Sequence, residues 1–230
     1  MSARTSIGYW AVVLAAATLP GCAWWHDTFG RGSTTEQRSS MTDQSSARAR
    51  MNIPVPVSPS IGGAVDATLR STVGAALKGD MGALAANLVP EDQGRLSQLS
   101  AADRDEISRT ARRYDSDWNS RYGRAVDWNS DPAFRQVFTD YQISRGKDAR
   151  HVLVTIPAAQ GAPRVTLSMR DLGNNTWRID APDSLSSFDL KNRLDSTYSD
   201  LSAAKNQWPG DSNLAARIAA QRALSIFSRT

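Results

Sequence analysis

The chain reads as an α+β protein in which helices come first, an antiparallel sheet of about four strands follows, and a helical hairpin closes the sequence. Three observations predict this. Apolar residues recur at intervals of three and four between Val65 and Trp118, they alternate with polar residues between Tyr141 and Ile179, and the helical interval returns after Pro182. A one-sided helix brings side chains back to the same face every 3.6 residues and a half-buried strand every 2, so the change of period marks the change of structure.

The first element is a targeting segment. An apolar run from Gly8 to Leu19 follows Arg4 and ends at Leu19-Pro20-Gly21-Cys22, which holds the single cysteine of the 230 residues. The run is too short to span a bilayer and has the layout of a secretory signal peptide over residues 1–21. A lone cysteine in an exported chain cannot close an intramolecular disulfide, so its position at the end of the apolar run calls for another use. The four residues resemble the lipobox of bacterial lipoproteins. That resemblance implies cleavage between Gly21 and Cys22 and acylation of Cys22, which then anchors the mature chain without spanning the membrane. Two positions depart from the usual pattern: Pro20, where Ala or Ser is commoner, and a positive region reduced to Arg4. Both bear on the efficiency of processing. Ala23 after the cysteine resembles the outer-membrane sorting case in a cell with two membranes.

Residues 22–61 form the second region. They lack sustained apolar periodicity and are rich in Ser, Thr, Gln, Arg, Gly and Pro, a composition that buries too little apolar surface to fold. As a flexible tether they reach about 30 to 40 Å, with Pro54, Pro56 and Pro59 stiffening the end as polyproline II. Trp24 and Trp25 either sit in the headgroup layer or merely follow the cleavage site.

The folded part, residues 62–182, opens with a helix carrying Val65, Leu69, Val73, Ala76 and Leu77, ended by Gly79. Asp80 caps a short second helix with Met81, Leu84 and Leu88 on its stripe, and Pro90 interrupts before Leu96 and Leu99 continue an apolar face. Ser100 with Asp103 is a capping-box variant that starts a longer helix, whose buried side carries Ile107, Ala111, Tyr114 and Trp118. Asp117-Trp118-Asn119-Ser120 is echoed at Asp127-Trp128-Asn129-Ser130. Two copies do not make a repeat protein. Asp131 and Pro132 predict one more short helix through Phe134, Val137 and Phe138.

Strands follow. Tyr141 and Ile143 begin the alternation. Val152, Val154 and Ile156 continue it against His151, Leu153 and Thr155, and Val165, Leu167 and Met169 follow. Gly173-Asn174-Asn175 supplies the positive φ of a hairpin turn, and Trp177 with Ile179 completes the last strand. Short connections make the sheet antiparallel.

Leu77-Lys78-Gly79-Asp80-Met81-Gly82-Ala83-Leu84, with the strands Arg164–Met169 and Asn175–Asp180, resembles the nuclear-transport-factor-like, or cystatin-like, α+β cone superfamily. The resemblance implies a strongly curved sheet wrapped by the helices. Its members range from isomerases and dehydratases to non-catalytic binding and envelope-assembly modules, so the fold leaves the activity open. Residues 183–230 are a C-terminal helical extension. Leu190, Leu194, Tyr198 and Leu201 form one stripe, Trp208-Pro209-Gly210 breaks it, and Asp211 caps a last helix carrying Leu214, Ile218 and Phe227. An apolar-striped tail of this kind most often docks on its own domain.

Composition narrows the function. The net charge is +4, from 27 basic and 23 acidic residues, but only four of the basic ones are lysines, which fits coding bias better than a nucleic-acid surface. Export removes that partner as well, so no nucleic acid is expected. With Cys22 used by the anchor and His26 and His151 the only histidines, a Cys/His nucleophile pair and a histidine-rich metal cluster are excluded, and neither a serine elbow nor a phosphate-binding glycine loop is present. No catalytic residue, metal or cofactor is assigned. Candidate cavity residues are Trp118, Asp127, Trp128, Asp140, Tyr141 and His151. An acid among them would serve as base with a tyrosine as donor, yet each has a plainer role as core aromatic, cap or strand start. His151 is expected on the solvated face. Two functions remain: an anchored envelope lipoprotein that binds a partner protein or a small apolar ligand, or a cone-type isomerase, dehydratase or hydrolase. An interior filled by side chains favours the first, and a deep cavity with one desolvated acid near a donor favours the second.

Overall fold

The computed structural model describes residues 59–124, 128, 140–159 and 161–228. Gly21, Cys22, Asp127 and the short helix expected after Asp131 lie outside them. Helix α1 (Pro59–Lys78) turns Val65, Leu69, Val73, Ala76 and Leu77 inward, and all five are buried. It stops at Gly79, whose φ of +66° is the left-handed conformation that ends helices at low cost only for glycine. A Cβ there would also lie 2.8 Å from that of Ala111 on the long helix behind it. Asp80 accepts from the Ala83 N–H at 3.0 Å and starts α2 (Met81–Ala86). Pro90 occupies the first turn of a separate helix, α3 (Pro90–Ser97), where its missing N–H costs nothing. Ser100 and Asp103 complete the capping box of α4 (Ala101–Tyr122), which buries Ile107, Ala111, Tyr114 and Trp118.

Four strands follow in the order β1 (Gln142–Arg145), β2 (His151–Ile156), β3 (Val165–Asp171) and β4 (Trp177–Asp180), each antiparallel to its neighbours. Register places Val154 opposite Leu167, Ile156 opposite Val165 and Met169 opposite Ile179, so the alternating apolar residues share one face. The β3–β4 turn uses three consecutive positive φ values, at Gly173, Asn174 and Asn175. On α1, the Thr68 hydroxyl donates to the Trp177 carbonyl at 2.9 Å and pins that helix to β4. The outer edge of β4 is itself paired: Ile179 donates to Asn87 and Val89 donates to Ile179, both at 3.0 Å. That pairing closes a row of groups that would otherwise invite another chain.

Helix α5 (Ser187–Ala203) begins at a second capping box, Ser186 with Asp189, and buries Leu190, Leu194, Tyr198 and Leu201. A single 3-10 turn, Lys205–Gln207, leads to α6 (Ser212–Ser225), which Asp211 caps as expected. The stripe anticipated on α6 is turned from its expected direction. Leu214 and Ile218 are only half-buried, while Ala215, Ala216, Ala219, Ala220 and Ala223 face inward. Small side chains let α6 approach α1 and the sheet closely, and Gln221 and Leu224 are buried beside them farther along the helix. The hairpin shares one continuous core with the first four helices and the sheet. The Tyr198 hydroxyl, fully buried, donates to the Ala76 carbonyl at the end of α1. Among the described residues no helix is long and apolar enough to cross a membrane.

Candidate binding site

The inner face of the sheet is solid. Val154, Ile156, Val165, Leu167, Met169, Trp177 and Ile179 are at most 4% exposed and join the helices in the core. Of the acid and donor candidates from the sequence that are described, Asp140, Tyr141 and His151 do not converge there. Asp140 pairs with Arg217 of α6 at 3.2 Å and is exposed. The Tyr141 hydroxyl donates to the Gly62 carbonyl at 3.0 Å, fastening the sheet to the start of α1.

His151 requires a correction. It lies on the face opposite Val152, Val154 and Ile156, as the alternation predicts, but it is buried at 6% exposure rather than solvated. The β1–β2 turn folds over it. Its Nδ1 is 2.6 Å from Asp148 Oδ1, and its Nε2 is 3.3 Å from Asp180 Oδ2, though not aligned for a hydrogen bond. The turn comes this close because residue 146 is glycine: a Cβ there would sit 2.6 Å from that of His151. The bond from His151 and the Arg150 N–H hold the Asp148 carboxyl below its usual range. With a carboxylate at each nitrogen, the imidazole joins β2, β4 and the turn. On the same side of the sheet Arg170, directly across from His151 on β3, pairs with Glu91, while Asp92, almost fully buried, accepts from the Ala181 N–H at 2.7 Å and meets Arg95 at 3.0 Å. Desolvation raises the Asp92 carboxyl above its ordinary value in spite of those partners. Among the described residues no group of three or more His, Cys, Asp or Glu is arranged to hold a metal ion.

Trp118 and Trp128 are brought together, with ring centroids 6.1 Å apart, in a cluster at the end of α4. Tyr114 and Tyr122 belong to it, and so does Trp208, whose ring stacks on Tyr122 at an interplanar angle of 5°. Outer polar tips are satisfied: Trp208 Nε1 donates to the Leu201 carbonyl at 2.9 Å, and the Tyr122 hydroxyl to the Pro209 carbonyl at 2.7 Å. Inner ones are not. Tyr114 Oη and Trp118 Nε1 are buried without a protein partner, and burial pushes the Tyr114 hydroxyl well above its ordinary pKa. Buried tyrosine and indole donors normally find acceptors, and each one left over costs about 1–3 kcal/mol.

Three of these rings, Tyr114, Trp118 and Trp208, border a cavity of about 160 Å³. Its other walls include Leu201, Ala204, Ala215, Ile218 and Ala219, with the polar Gln207 and Arg222 among them. Ala215 and Ala219 of α6 leave room there because their side chains are small. Sequence reasoning read Trp208 only as the punctuation of Trp208-Pro209-Gly210. The available signal was an indole at a helix break, where its N–H can cap a departing helix. No family model, curated protein or solved structure matches this chain.

Proposed function

We propose that this chain is a lipid-anchored protein of a bacterial cell envelope, held in the membrane by acylated Cys22, with a periplasmic or extracellular α+β domain that binds rather than catalyses. The observation that carries the binding part is the filled inner face of the sheet, where seven inward side chains are at most 4% exposed. A cone-type enzyme needs that face hollow around an acid and a donor. Here Asp140 is engaged with Arg217, Tyr141 with Gly62, and His151 with two carboxylates on the other face. Kinship with the cone superfamily is part of the same proposal and rests on the loose motifs at Leu77–Leu84 and Trp177–Asp180.

The anchor is supported by the apolar run ending at Leu19-Pro20-Gly21-Cys22. Several acyl chains, at about 0.8 kcal/mol per buried methylene, hold a protein far more firmly than one myristoyl group. Cys22→Ser is expected to abolish incorporation of labelled fatty acid and to release a soluble or uncleaved form. A variant that still labels and still fractionates fully with membranes refutes the anchor. For the binding part, a chain carrying Asp140→Asn and His151→Gln is expected to replace the wild type in its host. Loss of function with the fold intact would restore the enzyme alternative.

A further inference from the structure

The 160 Å³ aromatic slot does not end blindly. Gly161 and Arg222 line it and also line a second, more open cleft of about 790 Å³ between the β2–β3 loop, α5 and the end of α6. The slot is mostly apolar, with Gln207 and Arg222 in its wall, and the cleft carries more charge. The cleft presents three arginines, Arg164, Arg193 and Arg222, against a single carboxylate, Asp200, with hydroxyls from both helices between them. Arg193 is held in place by the Ile226 and Ser228 carbonyls at 3.0 and 3.4 Å. Arg164 and Arg222 have no carboxylate partner among the described residues, and Arg222 Nε is buried without an acceptor. Uncommitted guanidinium groups beside hydroxyls suit the oxygens of a phosphate or sulfate. The cleft has the size of ordinary ligand pockets, whereas the slot is close to the roughly 150 Å³ that admits one benzene ring.

We propose that this pair of spaces is a binding site for an anionic amphiphile, with a phosphate- or sulfate-type headgroup among Arg164, Arg193 and Arg222 and the end of an apolar chain or ring in the slot beside Trp118 and Trp208. Arg222 stands at the junction and reaches the headgroup, while Gly161, whose φ is +80°, carries the backbone past the junction without a side chain. The proposal rests on the domain being a binding module and names the chemistry of what it binds. The headgroup belongs either to a membrane lipid or to a free organic phosphate, and chain-length dependence distinguishes them.

The test uses the full chain in phosphatidylcholine nanodiscs, titrated calorimetrically with inorganic phosphate and with alkyl phosphates of increasing length, after subtraction of empty nanodiscs. Saturable binding is expected, strengthening about fourfold for each methylene that enters the slot and levelling off once the slot is full. Arg164→Gln with Arg222→Gln is expected to weaken every alkyl phosphate about tenfold or more, as loss of charge-assisted hydrogen bonds does. Ala204→Phe, which fills the slot from a half-buried position, should abolish the length dependence and leave the shortest alkyl phosphate unaffected. Because the length series is read on the wild type, a variant that misfolds does not remove the test. Inorganic phosphate binding as tightly as the longest alkyl phosphate would overturn the amphiphile and leave only an anion site. Affinity that climbs without levelling and ignores the arginine substitutions is bulk partitioning and overturns the site. Release of inorganic phosphate from a bound alkyl phosphate would support the site but overturn the non-catalytic function. Absence of binding with Cys22 still acylated would overturn the site and leave the anchor standing.

Discussion

Tyr198 measures whether the C-terminal hairpin belongs to the cooperative fold or merely lies against it. Its side chain is fully buried in the core, and its hydroxyl donates to the Ala76 carbonyl across 122 residues of chain. Ala76 also accepts from the Gly79 N–H at 2.9 Å, so removal of the tyrosine hydroxyl does not orphan that carbonyl. Tyr198→Phe should therefore lose only the net value of one hydrogen bond, about 0.5–1.5 kcal/mol. Tyr198→Ala also empties an aromatic volume and should cost about 3–5 kcal/mol. At roughly 2–4 °C per kcal/mol for a folded part of this size, the two melting points should fall by a few degrees and by about 6–20 °C. Urea and thermal denaturation, followed by both far-ultraviolet circular dichroism and tryptophan fluorescence, should give coincident single transitions. A loss below about 1 kcal/mol for Tyr198→Ala, or two separate transitions, would refute a shared core and make the hairpin an independent appendage.

Two further outcomes follow from the sheet and from the polar face. Trp177→Ala should cost about 3–5 kcal/mol, a large part of the stability of an ordinary domain, whereas Arg178→Ala on the opposite face should cost under about 1; equal losses in denaturant titrations would mean the strand faces are misassigned. The raised carboxyl of Asp92 makes the native state bind more protons than the unfolded chain between the ordinary value of 3.8 and its higher folded value, so this group subtracts stability as pH rises through that window. Asp148, Asp103, Asp189 and Glu91 act in the opposite sense, since their lowered folded values add stability above the unfolded range and lose it as pH falls through the folded one. Denaturation midpoints between pH 3 and 7 should rise more steeply for Asp92→Asn than for the wild type, and identical slopes would remove the desolvation argument.

Local chemistry was legible from the sequence alone. Gly79 as the end of α1, Asp80 and Asp211 as caps, the Ser100–Asp103 box, the Gly173-Asn174-Asn175 turn and the inward alternation on each strand, Val154 with Ile156, Val165 with Leu167 and Met169, and Trp177 with Ile179, each depend on residues within a few positions of one another, and each has its expected place. Such features follow from backbone sterics and from a fixed side-chain period, which a short stretch carries by itself. Only the tertiary structure decided the rest. His151 alternates correctly yet is buried, because Asp148 and Asp180 arrive from a turn and a strand that the local pattern does not place. The inward face of α6 is mostly alanine, with Gln221 and Leu224, rather than Leu214 and Ile218, since the closeness of its neighbours decides which side chains fit. Trp208 meets Trp118 across 90 residues, and Arg222 spans slot and cleft, through the docking of α4, α5 and α6. A site built where three helices meet has no motif, because its residues share a place in space and not a spacing along the chain.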